Sequence, residues 1–207
     1  MIPFSHFLAI AAALALSCLA RASETASAIP NPSITFTSST FSGTYAGSLL
    51  FDGQPVMGSG ANLGGQWAGS GIGPIYVDLD FGTSINTDCF GYAQRLGGNP
   101  SLDKATRFEL FFSESAGSFS GIPDVVIDSG INTSNSNFTL YPLGGTFSGR
   151  YLRFRVTGNG GNVGGSELRF YPAAVGQPSV ITSAATLISA TTARVHGEVV
   201  ASGVATP

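Results

Sequence analysis

Charge is scarce in this chain. Asp, Glu, Lys and Arg make up 10% of its 207 residues, and nine basic against twelve acidic side chains leave a formal charge of −3. With a pI near 5.2, that balance excludes a nucleic-acid binder, which needs a basic patch to neutralise phosphates. Histidine is scarcer still, with only His6 near the start and His196 near the end. The long middle of the chain therefore cannot build Ser-His-Asp or Cys-His nucleophile sites or histidine-based zinc sites. The two cysteines are Cys18 and Cys89. If Cys18 leaves with a leader, the mature chain holds one thiol and no disulfide. Cys89, beside Phe90 and followed by Tyr92, reads as a buried structural residue, since no basic neighbour lowers its pKa.

Glycine and phenylalanine, by contrast, are plentiful, at 28 and 15 residues. With many Ser and Thr, this composition suits an extracellular all-β protein with tight turns, and its apolar content excludes a disordered chain. Leu8–Leu19 is an apolar run of signal-peptide length, too short to span a membrane, and no other run approaches spanning length. Ala20-Arg21-Ala22 places cleavage before Ser23, with Ala26-Ser27-Ala28 as the fallback. Cys18 after Leu16-Ser17 also admits a lipoprotein anchor, although Ala15 stands where such signals usually have leucine. The expected location is secreted or at the cell surface.

Alternation of apolar and polar residues predicts strands. Ile75, Val77, Leu79 and Phe81 share one face, opposite Tyr76, Asp78 and Asp80, and Gly82 closes the run. Phe108, Leu110 and Phe112 share another. Ile34–Thr37, Phe90–Arg95, Val125–Ile127 and Phe138–Tyr141 are shorter candidates. In Arg150–Tyr171, Leu152, Phe154, Val156, Leu168 and Phe170 form core faces around a polar bend, Asn159-Gly160-Gly161-Asn162, that tolerates positive φ. Arg150, Arg153 and Arg155 read as a solvated outer face, as do Asp78 and Asp80, about 7 Å apart on one strand. Some eight short strands without a helix-period segment predict an all-β fold, an antiparallel β-sandwich or jelly roll. The organisation read from the chain is a signal peptide over 1–22, an extension over 23–33, the sandwich over 34–171 and a linker over 172–182. A tail over 183–207 follows.

Within the tail, Ala184–Gly203 resembles the opening of the fibronectin-type-III-like repeats of bacterial secreted proteins, with Arg194–Val199 in the strand position. About 30 residues cannot bury a sandwich core, so the expectation is a fragment of a longer protein with further domains.

The ordered blocks SSTFSGTYAGSLLFDG, Trp67, PIYVDLDFG, FGYAQR, FELFFSES and RYLRFRVTG…GGSELRFY resemble a discoidin domain, also called the coagulation factor V/VIII type C domain. That family belongs to the galactose-binding-like β-sandwiches and includes many bacterial carbohydrate-binding modules. The resemblance implies a structural calcium held by Asp52 and Glu167 with backbone carbonyls, a donor set that suits a hard cation. The alternative is that Asp52 is a turn residue and Glu167 an exposed strand residue. It also implies Arg95 as a sugar ligand, its donor fork suited to hydroxyls. The alternative there is a loop-packing salt bridge or carbonyl clamp. Where such members often carry a histidine after the tryptophan, this chain has Ala68-Gly69-Ser70, which departs from galactose-type recognition. Trp67 reads as core rather than platform.

Scattered carboxylates without a cleft pair, and a glycine-rich stretch without the lysine of a phosphate loop, argue against an enzyme. The expected function is an exported, non-catalytic module binding a glycan or polysaccharide. The alternative is an adhesion or spacer module that contacts protein or lipid.

Overall fold

The computed structural model describes residues 28–53, 65–95, 103–133 and 138–173, together with the backbone of 179–182 and 197–200. The leader and both cleavage sites lie outside the described residues. The chain divides into two compact units, Met1–Ala173 and Ala174–Pro207.

The first unit contains β1 (Ser33–Thr37), β2 (Trp67–Ala68), β3 (Ile75–Gln94), β4 (Ala105–Ser113), β5 (Val125–Ile127), β6 (Phe138–Gly158) and β7 (Gly164–Pro172). Short 3-10 turns at Gly43–Tyr45 and Gly47–Phe51 follow β1. Strand order is β2-β7-β3-β6-β4-β5, with β1 also on β3, and every pairing is antiparallel.

Two long strands make this one ladder into a sandwich. The first half of β3 pairs with the second half of β6, Ile75 opposite Val156 through Asp80 opposite Tyr151. The second half of β3 pairs with the first half of β6, Cys89 opposite Pro142 through Ala93 opposite Phe138. Register shifts separate the halves, and Gly82 and Gly144, both at φ +78°, supply the backbone bends there. Gly82 therefore bends a strand that the alternation alone ends at Phe81, and the Phe90–Arg95 candidate belongs to the same strand as far as Gln94.

The two layers meet over the expected core. Ile75, Val77, Leu79, Phe108, Leu110, Leu152, Phe154, Val156, Leu168 and Phe170 are all buried. Rings cross the interface: Phe90 meets Phe108 and Phe154 at 5.5 Å, and Tyr92 meets Phe108 at 4.8 Å. Each buried Leu, Val or Phe stabilises the fold by about 1.5–3 kcal/mol relative to exposure.

On the outer face of the β3–β6–β4 layer the arginines are paired rather than freely solvated. Arg150 binds Asp80 at 2.8 and 2.9 Å, Arg153 binds Asp78 at 2.7 and 2.8 Å, and Arg155 meets Glu109 at 2.5 Å. Opposed residues across the antiparallel register bring these charges together: Asp78 faces Arg153, and Glu109 faces Arg155. Arg153 also lies between the rings of Tyr76 and Phe119, at 4.1 and 4.7 Å.

Cys89 is buried, and in the full-length chain it is disulfide-bonded; Cys18 lies outside the described residues. In the second unit, β8 (Ser179–Thr182) pairs antiparallel with β9 (Gly197–Val200). β8 begins inside the stretch read as a linker. Among the described residues, no helix is long and apolar enough to cross a membrane.

Candidate functional site

The start of β7 organises one end of the sandwich. Trp67 of β2 pairs with Gly165, and Ala68 with Gly164. A Cβ on Gly164 would lie 1.9 Å from the Trp67 carbonyl oxygen, and one on Gly165 would lie 2.4 Å from the Tyr92 hydroxyl. The glycine pair is what lets β2 and Tyr92 close on β7.

The unpartnered buried polar side-chain atoms of the described residues gather here. They are Trp67 Nε1, Tyr92 OH, Arg95 Nε and Glu167 Oε2. Native interiors leave few such atoms, and each costs about 1–3 kcal/mol. Trp67 and Tyr92 pack on Gly165, the Arg95 amide donates to the Gly164 carbonyl at 3.3 Å, and Glu167 is two residues further along.

Arg95, at the exit of β3, is 3% exposed. Its Nη1 donates to Asp103 Oδ2 at 2.8 Å and to the Asn162 carbonyl at 2.7 Å. Asp103 Oδ1 accepts the Asn162 amide at 2.7 Å, and the Asn162 side chain accepts the Gly71 amide at 3.0 Å. Lys104 is the only lysine of the chain; it is buried, and its Nζ donates to the Arg95 carbonyl. Burial pulls the Lys104 pKa down, opposed by Asp103 and assisted by Arg95. Three connections are thereby tied: the end of β3, the entry to β4 and the β6–β7 bend.

The guanidinium carries a ring on its outer side. Arg95 Cζ lies 5.0 Å from the centroid of Tyr45, which the Gly43–Tyr45 turn delivers there. Tyr45 meets Phe41 edge-on at 5.8 Å, and Phe41 is 50% exposed. The Phe41 amide is fixed on the Ala68 carbonyl at 2.7 Å. An exposed ring on a fixed loop, backed by a buried ring and a cation, can stack on the apolar face of a flat ligand while polar groups nearby orient it.

Asp52 lies near enough to Glu167 for its negative charge to act on the Glu167 carboxyl. Glu167 is fully buried; its Oε1 accepts Arg169 Nε at 2.8 Å. Burial pushes its carboxyl pKa up, Arg169 opposes this, and the negative charge of Asp52 adds to the rise. Asp52 caps the Gly47–Phe51 turn. Glu167 Oε2, without a partner among the described residues, the nearby Asp52 carboxylate and the Gly53 carbonyl, which Arg169 Nη2 reaches at 3.4 Å, are oxygen donors of the kind a hard cation such as calcium takes. Among the described residues no group of three or more His, Cys, Asp or Glu converges, so further ligands would be carbonyls or water.

Of the residues singled out in sequence, Asp52 lies within electrostatic reach of Glu167, and Glu167 is buried rather than exposed. Arg95 holds the geometry of a salt bridge and carbonyl clamp, and Trp67 is buried core. The reading missed Phe41, Tyr45, Asp103, Lys104, Asn162 and Arg169. Arg169 had a signal: it lies two residues beyond Glu167, on the same face of a strand. The others sit in loops and turns, where no period marks them.

No protein-family model matches the sequence, and no curated protein does. Solved structures do. The CBM32-5 module of CpGH89 from Clostridium perfringens, in complex with GalNAc-β-1,3-galactose, aligns with TM-score 0.54 at 18% identity, covering 70% of this chain and 99% of that one. The family 32 module of C. perfringens NanJ, in complex with galactose, gives 0.51 at 18% identity, covering 70% and 97%. CBM32-1 from a family 31 glycoside hydrolase of the same organism gives 0.51 at 15%, covering 70% and 96%. At these identities the likeness is one of fold: the chain shares the β-sandwich fold of these carbohydrate-binding modules.

Proposed function

We propose that the sandwich is a non-catalytic carbohydrate-binding module of an exported, multidomain secreted or surface protein. The glycan lies against Phe41 and Tyr45, with Arg95 behind the ring as its support. Calcium held by Asp52 and Glu167 stiffens the loops and lowers the ordering cost of binding. The observation that carries this reading is the half-exposed Phe41 beside the Tyr45–Arg95 stack, at the end where buried donors lack partners. The complexes of similar folds with galactose and GalNAc-β-1,3-galactose support it.

The test is a glycan array followed by calorimetry on the best ligand, with the Phe41→Ala variant alongside. The expected result is at least a tenfold loss of affinity with folding stability within about 0.5 kcal/mol of the parent, as for a surface substitution. Retention of full affinity would remove Phe41 from the site, and failure to bind any glycan would remove the carbohydrate reading.

A further inference from the structure

The candidate calcium site already contains a cation. Arg169 Nε donates to Glu167 Oε1 at 2.8 Å, and its Nη2 reaches the Gly53 carbonyl at 3.4 Å. These are the carboxylate and a carbonyl of the donor set described above. We infer that Arg169 is an intramolecular competitor for this site. Its guanidinium holds Glu167 when no metal is bound, and it must release Glu167 Oε1 and the Gly53 carbonyl before a divalent ion takes them. This inference rests on the calcium reading.

Three features support the exchange. Glu167 is fully buried, and a buried carboxylate is costly to keep ionised without a positive partner. The guanidinium satisfies Oε1, and Oε2 has no partner among the described residues, so one monovalent cation does not fill the site, whereas a divalent ion would draw on both carboxyl groups. Finally, the Arg169 side chain is 34% exposed, and its Cζ lies 5.3 Å from the ring of Phe138. On leaving Glu167 it has solvent and an aromatic face to rest on, and no unpaired charge is buried. The last strand thus stays tied to the first loops when metal is scarce, and metal affinity is lowered by the cost of displacing the arginine.

The test is calorimetric titration of calcium chloride into the chelator-treated full chain, with thermal melting in chelator as a second readout. Arg169→Gln should bind calcium at least tenfold more tightly than the parent and melt lower in chelator; Arg169→Lys should fall between. Arg150→Gln makes the same change in net charge on the outer face and should shift affinity less than twofold. Glu167→Gln should lose calcium binding. Equal calcium affinity in the parent and Arg169→Gln would overturn the competitor role and leave the calcium site standing. No calcium binding by either would overturn both, and neither outcome touches the glycan assay. If Arg169→Gln is unfolded in chelator, Arg169→Lys decides: tighter than the parent supports the inference, and equal overturns it.

Discussion

Carboxylates on the outer sheet face and the carboxylate at the loop end are held in opposite ways. Outside, Arg150 and the Gly82 amide lower the Asp80 pKa. Burial alone would raise Glu109, but hydrogen bonds from Arg155 and Arg107 outweigh it and the net shift is downward. At the loop end, burial of Glu167 outweighs Arg169 and a backbone hydrogen bond from Gly53, and Asp52 adds to the rise. The outer face is an electrostatically closed ladder that favours the folded chain at neutral pH. The loop end has buried polar atoms without a hydrogen-bond partner among the described residues, which native interiors rarely leave.

The sharpest way to break this comparison is to remove one carboxylate from each region. Asp103→Ala leaves Arg95 and Lys104, both nearly fully buried, without their shared counter-charge, and should destabilise by about 3–5 kcal/mol. Asp78→Ala removes a bidentate pair, but the Arg153 side chain is 27% exposed and stays stacked on Tyr76 and Phe119. Its cost should be about 1–2 kcal/mol. Urea unfolding of the two variants measures the difference. Equal costs would mean that the loop-end cluster is no more desolvated than the sheet face.

Next in size is Gly164→Ala. The added methyl meets backbone, the Trp67 carbonyl, and backbone cannot rotate aside. The β2–β7 pairing must open, at roughly 3 kcal/mol, and Trp67 fluorescence should shift toward that of a wetter indole. An unchanged spectrum with parental stability would show that β2 does not depend on this close approach.

The outer face and core were largely legible in the sequence because both follow the period of two. Val77, Leu79, Leu152 and Phe154 fell on the buried side, and the charges opposite them fell outside. What alternation could not give was pairing: Asp78 and Arg153 are 75 residues apart, and only the antiparallel register sets them opposite each other. Nor could it distinguish a glycine that ends a strand from one that bends it, so Gly82 read as a terminus. The loop end was half legible. Asp52 and Glu167 came through family resemblance, whereas Asp103, Tyr45 and Phe41 belong to turns whose chemistry is decided by what they fold against.

The smallest expected effect separates the regions by sign. A carboxyl whose folded pKa is lowered contributes stability that is present above its unfolded pKa and lost as pH falls through the folded value. Asp80 is such a group, so Asp80→Asn should be less stable than the parent at pH 7, and the gap should close in acid. For Glu167 the folded pKa is raised, so the sign reverses: the ionised form burdens the folded state, and the burden appears as pH rises above the ordinary carboxylate value of 4.5. In chelator, Glu167→Gln should therefore gain stability relative to the parent as pH rises above that ordinary carboxylate value, the opposite trend to Asp80→Asn. Adding calcium should reverse the Glu167 trend, because the ion binds the carboxylate form and its binding strengthens as the proton leaves. Stability curves of both variants against pH, with calcium and with chelator, make the measurement. Parallel curves for the two variants in chelator would mean that Glu167 is as well neutralised as the outer face, with Arg169 alone sufficient.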